Sequence, residues 1–331
     1  MLVAPCRVDA EDCDSLSPFP LGGALTSAYY WLHFFLAAAS VPLVVVHWAC
    51  FGHQRGMGPA LLAMSLATGL GVTIGYHRLF THRSFETTRS IELLLAVLGS
   101  MAGLGFFFSW VSAHRQHHQF SDNPGDPHSP HLHGGTRWSR LASIFHAHGG
   151  WMLSDRMDSE RLRYIPDLIA DPVLRAIQRL QLVWIGLGLL LPALFCYALN
   201  PTWEAATAGL LWGGLLRIAI AAQVTFCINS ICHLWGPRPF AVRDESRNNG
   251  WVAMLAFGEG WHNNHHAFPT SARHGLLPGQ FDLSYSFIRL LEGVGLAWNV
   301  KLPTPAQLHA KMGEPPGRLG THRLPQFKDA A

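Results

Sequence analysis

The chain has 331 residues, of which 49% are hydrophobic and only 14% charged. An average soluble domain is about one-quarter charged, so this balance excludes an ordinary water-soluble fold and points to lipid around much of the surface. A net charge of +3 is too small to argue for nucleic acid, and the six cysteines, at 6, 13, 50, 196, 227 and 232, form neither a CxxC pair nor a disulfide framework.

Residues 1–27 carry Asp9, Glu11, Asp12 and Asp14 and no basic segment ahead of an apolar core, and are expected to form a cytoplasmic arm rather than a cleaved leader. A membrane-spanning helix needs about 20 apolar residues to cover about 30 Å of hydrocarbon. Four stretches meet this: 28–50, 58–76, 182–199 and 206–228. The connections "FGHQRGM" and "NPTWEA" are short enough to make two helical hairpins. Arg55 lies in one of these loops and Arg217 inside a span; the rest of the 24 Lys and Arg fall on the opposite face, which the positive-inside rule makes cytoplasmic.

A fifth apolar stretch, 91–111, is long enough to span. A crossing there would put a bilayer between the histidines at 77 and 82 and those at 114–118, so a helix lying along or dipping into the cytoplasmic leaflet is expected, with five spans as the alternative. The fold class that follows is an all-α integral membrane protein: four transmembrane helices in two hairpins under a helical cytoplasmic cap. Residues 28–303 form one domain, and 304–331, Pro- and Gly-rich towards the end, are expected to be a mobile tail.

The cap is built from 77–181 and from 230 onward, and histidines crowd it. Of twenty in the chain, nine fall into four groups: His77 and His82; His114, His117 and His118; His233; and His262, His265 and His266. Spacings of three and four residues return a side chain to one helical face, so each HxxHH aligns three imidazoles. Asn229 and His233 are likewise four apart, at the end of the fourth span. His77 and His82 diverge by about 140° on a regular helix, so they are expected where the second span ends, or to address different metals. Nine donors exceed the needs of one transition ion and suit two with open positions. Imidazole favours Fe, Zn, Cu or Ni over Mg or Ca.

The remaining polar residues have plainer expectations. His128, His131, His133, His146, His148, His274, His309 and His322 are expected to be solvated or hydrogen-bonded, and His33 and His47 to pack within the first span. Glu259, Asp122 and Asp126 border the histidine groups, placed either to accept N–H bonds from ligand imidazoles or to be solvated. Arg217 must snorkel or find partners inside its span.

The segments "GYHRLFTHRSFE", "WVSAHRQHHQFSDNPGDPHSP", "HGGWML", "NSICHLWGPRPF" and "GEGWHNNHHAFPTSARHGL" carry a specific likeness. From about Ser65 to Pro303 the chain resembles the membrane-bound fatty acyl desaturases of the Δ9 type. The resemblance implies two Fe2+ ions held by the nine histidines, with Asn229 reaching a metal through water, and no catalytic side chain beyond the metal centre. It implies O2 as co-substrate, a cis double bond placed in a saturated acyl chain, and both termini and the active site on the cytoplasmic side. It also places Trp110 and Thr225 at the bend of a narrow substrate tunnel.

Acyl-CoA-using animal members carry an Arg-Asp pair where this chain has Ser112 and Ala113, so acyl-CoA and acyl-lipid both stay open as substrates. No cysteine set for an iron–sulfur cluster and no glycine fingerprint for flavin or nicotinamide is present. An external donor, ferredoxin or a b-type cytochrome with its reductase, is therefore expected, docking near Arg137, Arg140, Arg156, Arg161 and Arg163. A di-iron hydroxylase of lipids or alkanes, and a non-enzymatic histidine-rich metal transporter or receptor, are the competing functions.

Overall fold

The computed structural model describes residues 23–132, 136–153 and 159–312, with the side chains of 23–27 and 159–160 left aside. The acidic N-terminal arm, Cys6, Cys13, His133, Arg156, His322 and the tail from 313 lie outside the described residues. Almost every element is helical. Four helices are long and apolar enough to cross a bilayer: Ala28–Phe51 within α1 (Gly23–Phe51), α2 (Met57–Thr81), α6 (Gln181–Leu199) and α7 (Trp203–Leu234).

Between α2 and α6 lie α3 (Arg89–Met101), α4 (Phe107–Phe120) and α5 (Arg137–His148). After α7 come α8 (Gly250–Leu255), α9 (His262–Ala267), α10 (Leu283–Gly293) and α11 (Pro305–Lys311). The central windows of α2 and α7 are 44% buried, against 17% for α1 and α6, so α2 and α7 form the inner pair. The outer two are apolar all round, with Leu32, Phe35, Val45, Val183 and Leu194 exposed, the composition of a lipid-facing helix.

Hydropathy alone does not set the helix ends. α2 and α7 continue past 76 and 228 to Thr81 and Leu234, because backbone hydrogen bonding carries on after the apolar side chains stop. The last part of α2 is π-helical, Gly71–Thr81, with the N–H of His82 donating to the carbonyl of His77 at 3.1 Å. Bonding of i to i+5 is rare and concentrates at functional sites. Here it brings residues five apart onto one side, so the expected divergence of His77 and His82 is corrected: both enter one cluster.

The 91–111 stretch is not one helix. α3 ends at Met101 and α4 begins at Phe107, separated by Gly103 and Gly105 at φ 72° and 100°, backbone that glycine adopts without a Cβ clash. Neither 13-residue α3 nor 14-residue α4 reaches the length of about 20 needed to cross. Four candidate spans therefore remain, and the single helix expected over 91–111 is replaced by two. α3 presses close to α2: a Cβ on Gly71 would meet the backbone nitrogen of Gly99 at 2.3 Å.

Arg217 does not snorkel. It is fully buried and donates to the carbonyls of Gly213, Met101, Ala102 and Gly188 and to the Thr68 hydroxyl, at 3.0–3.3 Å. Those acceptors lie on α2, α6, α7 and the end of α3, so one guanidinium ties all four together.

A short antiparallel ribbon pairs Glu86 with Trp298 and Thr87 with Ala297, bringing residues 297–298 back beside the exit of α2. α11 corrects the expected start of the tail. Thr304 and Gln307 form a capping box with Pro305 in the first turn, a sequence signature of a helix start. Leu308 packs in a buried cluster with Phe240 and Leu276.

Candidate metal centre

Nine histidines scattered from 77 to 266 converge. His77, His82, His114, His118 and His265 bring one nitrogen each within 4.8 Å of one another, and His117, His233, His262 and His266 form a second such group. The division follows from element geometry. α4 presents His114 and His118, one turn apart, to the first group and His117 to the second. α9 does the same with His265 against His262 and His266. The two groups abut, with the His118 and His266 rings 4.6 Å apart.

In the first group the Nε2 atoms of His77, His265, His118 and His114 make a closed circuit with edges of 3.1, 2.9, 3.1 and 2.9 Å. A square of such edges has a half-diagonal of about 2.1 Å, the length of an imidazole–metal bond. His82 adds a fifth donor, its buried Nε2 meeting no hydrogen-bond partner. In the second group His233 Nε2 lies 3.1 Å from His262 Nε2, and His117 Nε2 3.4 Å from His266 Nε2. Nitrogen lone pairs held this close repel unless a cation or a shared proton lies between them.

Carboxylates stand behind the rings. Glu259 accepts from His77 Nδ1 at 2.5 Å, Asp126 from His117 Nδ1 at 3.0 Å, Asp122 from His233 Nδ1 at 2.9 Å, and Asp244 from His266 Nδ1 at 2.9 Å. Each bond fixes the proton on Nδ1 and aims the Nε2 lone pair inward, the usual way a ligand histidine is oriented. Burial opposes ionisation of Asp122, yet its bond with His233 brings it down to about 2. Glu259 is likewise held well below its ordinary range against burial, by His77, His274 and Arg78. Burial, then repulsion from neighbouring rings, lowers His82, His114, His118, His262, His265 and His266 well below the usual imidazole value. Neutral imidazole is the form that binds a metal.

Glu259 and Asp126 are thus buried acceptors, and Asp122 a half-buried one with its side chain turned in to His233, rather than solvated acids. Asp244 was not legible as a partner. It sits in "AVRDES", remote from every histidine box, and reaches His266 through the loop after α7. Of the histidines expected to be solvated or hydrogen-bonded, His128 and His274 are buried, 4% and 1% exposed, and His274 Nδ1 lies 3.3 Å from the Arg78 guanidinium. His274 lies 3.3 Å from Glu259, and the His128 ring is 4.4 Å from that of His117. His128 is lowered to about 3 by burial and then by His117. His131, His146 and His148 are hydrogen-bonded, His309 is exposed, and His47 bonds Glu204 and Thr207 on α7.

Arg78 binds Glu259 at 3.0 Å, Asp282 at 3.1 Å and the Ala272 carbonyl at 2.7 Å, locking the α9–α10 connection to α2. The carboxamides of "HNNHH" serve the scaffold. Asn263 exchanges hydrogen bonds with the Phe240 backbone, and Asn264 donates to the His274 carbonyl and Gln280.

A cavity of about 120 Å³ runs from the rings of His77, His114 and His262 down between α2 and α7 towards Arg217. Trp110, Thr225 and Asn229 line it beside the imidazoles, and Ile220, Ala221 and Val224 line its apolar stretch. Trp110 stacks on His114 with centroids 5.2 Å apart. A smaller space bounded by Trp110, His114, Thr225 and Asn229 continues on to Trp151 and Met152.

The family model described as Fatty acid desaturase matches residues 55–278. Among curated proteins, the chain is 43% identical to the hex-5-enoyl-[acyl-carrier protein] acetylenase of Moorena producens over 76% of this chain and 78% of that one. It is 40% identical to the sn-1 stearoyl-lipid 9-desaturase of Anabaena variabilis over 76% and 86% of the two chains. With a probable lipid desaturase of Arabidopsis thaliana chloroplasts it shares 41% identity over 73% of this chain and 63% of the longer relative.

Proposed function

The chain belongs to the fatty acid desaturase family, and from that premise we propose that it is an O2-dependent desaturase introducing a cis double bond, at the Δ9 position, into a saturated acyl chain carried by a membrane lipid. The observation that carries the reading is the division of nine imidazoles into groups of five and four at the head of an apolar cavity. The donor set fits two iron ions. It is nitrogen-rich, too large for one centre, and backed by carboxylates that leave the inner lone pairs free. His77, His82, His114, His118 and His265 would hold one ion, and His117, His233, His262 and His266 the other, with Asn229 joining through water.

When bound, the iron pair supplies the O2-driven removal of two hydrogens from unactivated CH2 groups, which no side chain performs alone. The protein's own part is positional. A saturated chain offers no polar handle near the reacting carbons, so selection of one carbon pair depends on a narrow apolar slot that fixes distance and bend. Ile220, Ala221 and Val224 supply the apolar wall, while Trp110 and Thr225 set the turn beneath the imidazoles. Burial of the rings keeps bulk water from the oxidant.

We place α1–α2 and α6–α7 as two hairpins, with the centre and both termini on the cytoplasmic side. This follows the short links at 52–56 and 200–202 and the basic bias of the other face. Two electrons per turnover come from an external ferredoxin or b-type cytochrome with its reductase. The lipid-borne substrate is favoured because Ser112 and Ala113 replace a charged pair suited to CoA and because two of the quoted relatives are named lipid desaturases.

Expression in a host lacking its own desaturase, with His265→Ala as control, tests all of this. Fatty acids of total lipids and of the CoA pool are compared by mass. Loss of two hydrogens at C9–C10, appearing first in lipid, is expected. Gain of an oxygen would establish hydroxylation instead, and product appearing first in the CoA pool would overturn the carrier.

A further inference from the structure

Two helices of the cap turn apolar faces outward. On α5, Trp138, Leu141 and Phe145 are 79%, 47% and 58% exposed, spaced three and four residues apart on one face, while Ser143 and Ala147 are buried beneath. On α8, Trp251, Met254 and Leu255 are 79%, 69% and 65% exposed above buried Val252 and Ala253. A soluble surface seldom shows such clusters unless something covers them.

Their height relative to the bilayer identifies the covering. α7 begins at Trp203, and about 20 residues cross the hydrocarbon, so its cytoplasmic edge falls near residue 223. α5 is fastened at that level: His148 bonds Gln223 and Ser230, at 3.0 and 2.9 Å. α8 is fastened there too, Val252 packing with Val224, Cys227, Ile228 and Cys232. Both faces therefore continue the lipid-facing belt of the spans into the headgroup layer. Exposed Arg137 and Arg140 flank the apolar residues of α5, completing the pattern of a helix that lies in an interface among anionic headgroups.

We propose that α5 and α8 are interfacial helices that seat the cap on the cytoplasmic leaflet, with phospholipid acyl chains and anionic headgroups as their occupant. Arg137 and Arg140 then face lipid phosphate rather than an electron donor. Leu255 is both exposed on this face and part of the wall of the metal-side cavity, so the seat puts an opening of that cavity against the leaflet. The inference rests on the bilayer-spanning reading of the four long helices and is independent of the reaction.

The test is photo-crosslinking of the full chain in nanodiscs of phosphatidylglycerol and phosphatidylcholine. p-Benzoylphenylalanine replaces, one at a time, Phe145, Trp251, Phe195 in a span and Trp235. Trp235 is 60% exposed and stands about 18 Å above the hydrocarbon edge by helical rise. Intact-mass spectra are expected to show lipid adducts at Phe145, Trp251 and Phe195, and none at Trp235. Adducts to a second protein chain, or none, at Phe145 and Trp251 while Phe195 takes lipid would overturn the proposal. Absence of lipid at Phe195 would instead overturn the spanning reading on which it stands.

Discussion

Asp244→Asn isolates the contribution of one outer carboxylate to one metal. Asp244 Oδ2 accepts from His266 Nδ1 at 2.9 Å, and Oδ1 accepts from the Ser246 N–H at 2.9 Å. Asn keeps the shape and can keep the bond from His266 Nδ1 through its one carbonyl oxygen, while losing the charge and setting its NH2 against the Ser246 N–H. A hydrogen bond to an ionised group contributes about 1.5–3 kcal/mol and a neutral one about 0.5–1.5, so the loss is about 1–1.5 kcal/mol, or about 5- to 13-fold in affinity. That meets the lower end of the 10- to 100-fold cost typical of residues that orient metal ligands. The expected result is one of two irons released at about tenfold lower chelator concentration, with the circular dichroism of the protein unchanged. Asp244→Ala, which also frees the imidazole to rotate, is expected to weaken that iron further. If Asp244→Asn retained both irons at wild-type chelator concentrations, the carboxylate would not be tuning a ligand.

Three further outcomes follow from the geometry. Arg217→Met leaves the carbonyls of Met101, Ala102 and Gly188 without a donor, and unmet buried acceptors cost about 1–3 kcal/mol each; melting in detergent should fall by several degrees, whereas unchanged or raised melting would show the guanidinium to be dispensable. Thr225→Trp fills the space beside Trp110 and should cut turnover of an 18-carbon chain at least about tenfold by blocking near-attack placement, with both irons retained; full turnover would remove Thr225 from the tunnel. Six imidazoles of the two groups have lowered folded-state values, so below about pH 6.5 the unfolded chain binds protons that the folded one refuses, and stability rises with pH through that window. Thermal melting should therefore be flat above about pH 7.5 and fall from pH 6.5 to 5; melting that rises on acidification would contradict the neutral assignment.

The nine imidazoles and the four spans were legible because both are periodic signals: helical spacing aligns each histidine box, and apolar length matches the bilayer. The partition of the nine was not. It depends on which group each i,i+4 pair of α4 and α9 joins, which only tertiary packing decides, and on a π-helical turn that cancels the divergence of His77 from His82, which a 3.6-residue period does not contain. The break in the 91–111 stretch was present as Gly103 and Gly105, yet hydropathy averages over such residues. Asp244 lies in a loop with no box beside it, and its partner His266 is distant in sequence. His128 and His274 are expected from sequence to be solvated or hydrogen-bonded, and the polar composition around them gives no sign of the burial that packed elements impose.

Charge balance explains why four outer carboxylates stand behind the nine imidazoles. Two divalent ions bring four positive charges into a buried site, and imidazoles offset none of that. Uncompensated buried charge is prohibitively costly. Glu259, Asp122, Asp126 and Asp244 supply four negative charges one ring-width away, while Arg78 and Asp282 cancel each other. With two divalent ions held as proposed, the site would be neutral as a whole. Removing the ions reverses the account, because the carboxylates remain ionised and, with six imidazoles lowered, only a histidine that burial does not hold neutral can take up charge. His117, raised by Asp126 although burial opposes it, is the first to do so. Chelation at pH 7 should therefore be accompanied by net proton uptake, measurable in weak buffer with a pH indicator once the chelator's own proton release is subtracted. It should also lower the melting temperature, since a ligand bound to the folded state alone stabilises it by mass action. Iron release without proton uptake would mean that the four carboxylates are neutralised by some other means, and the charge argument for this constellation would fail.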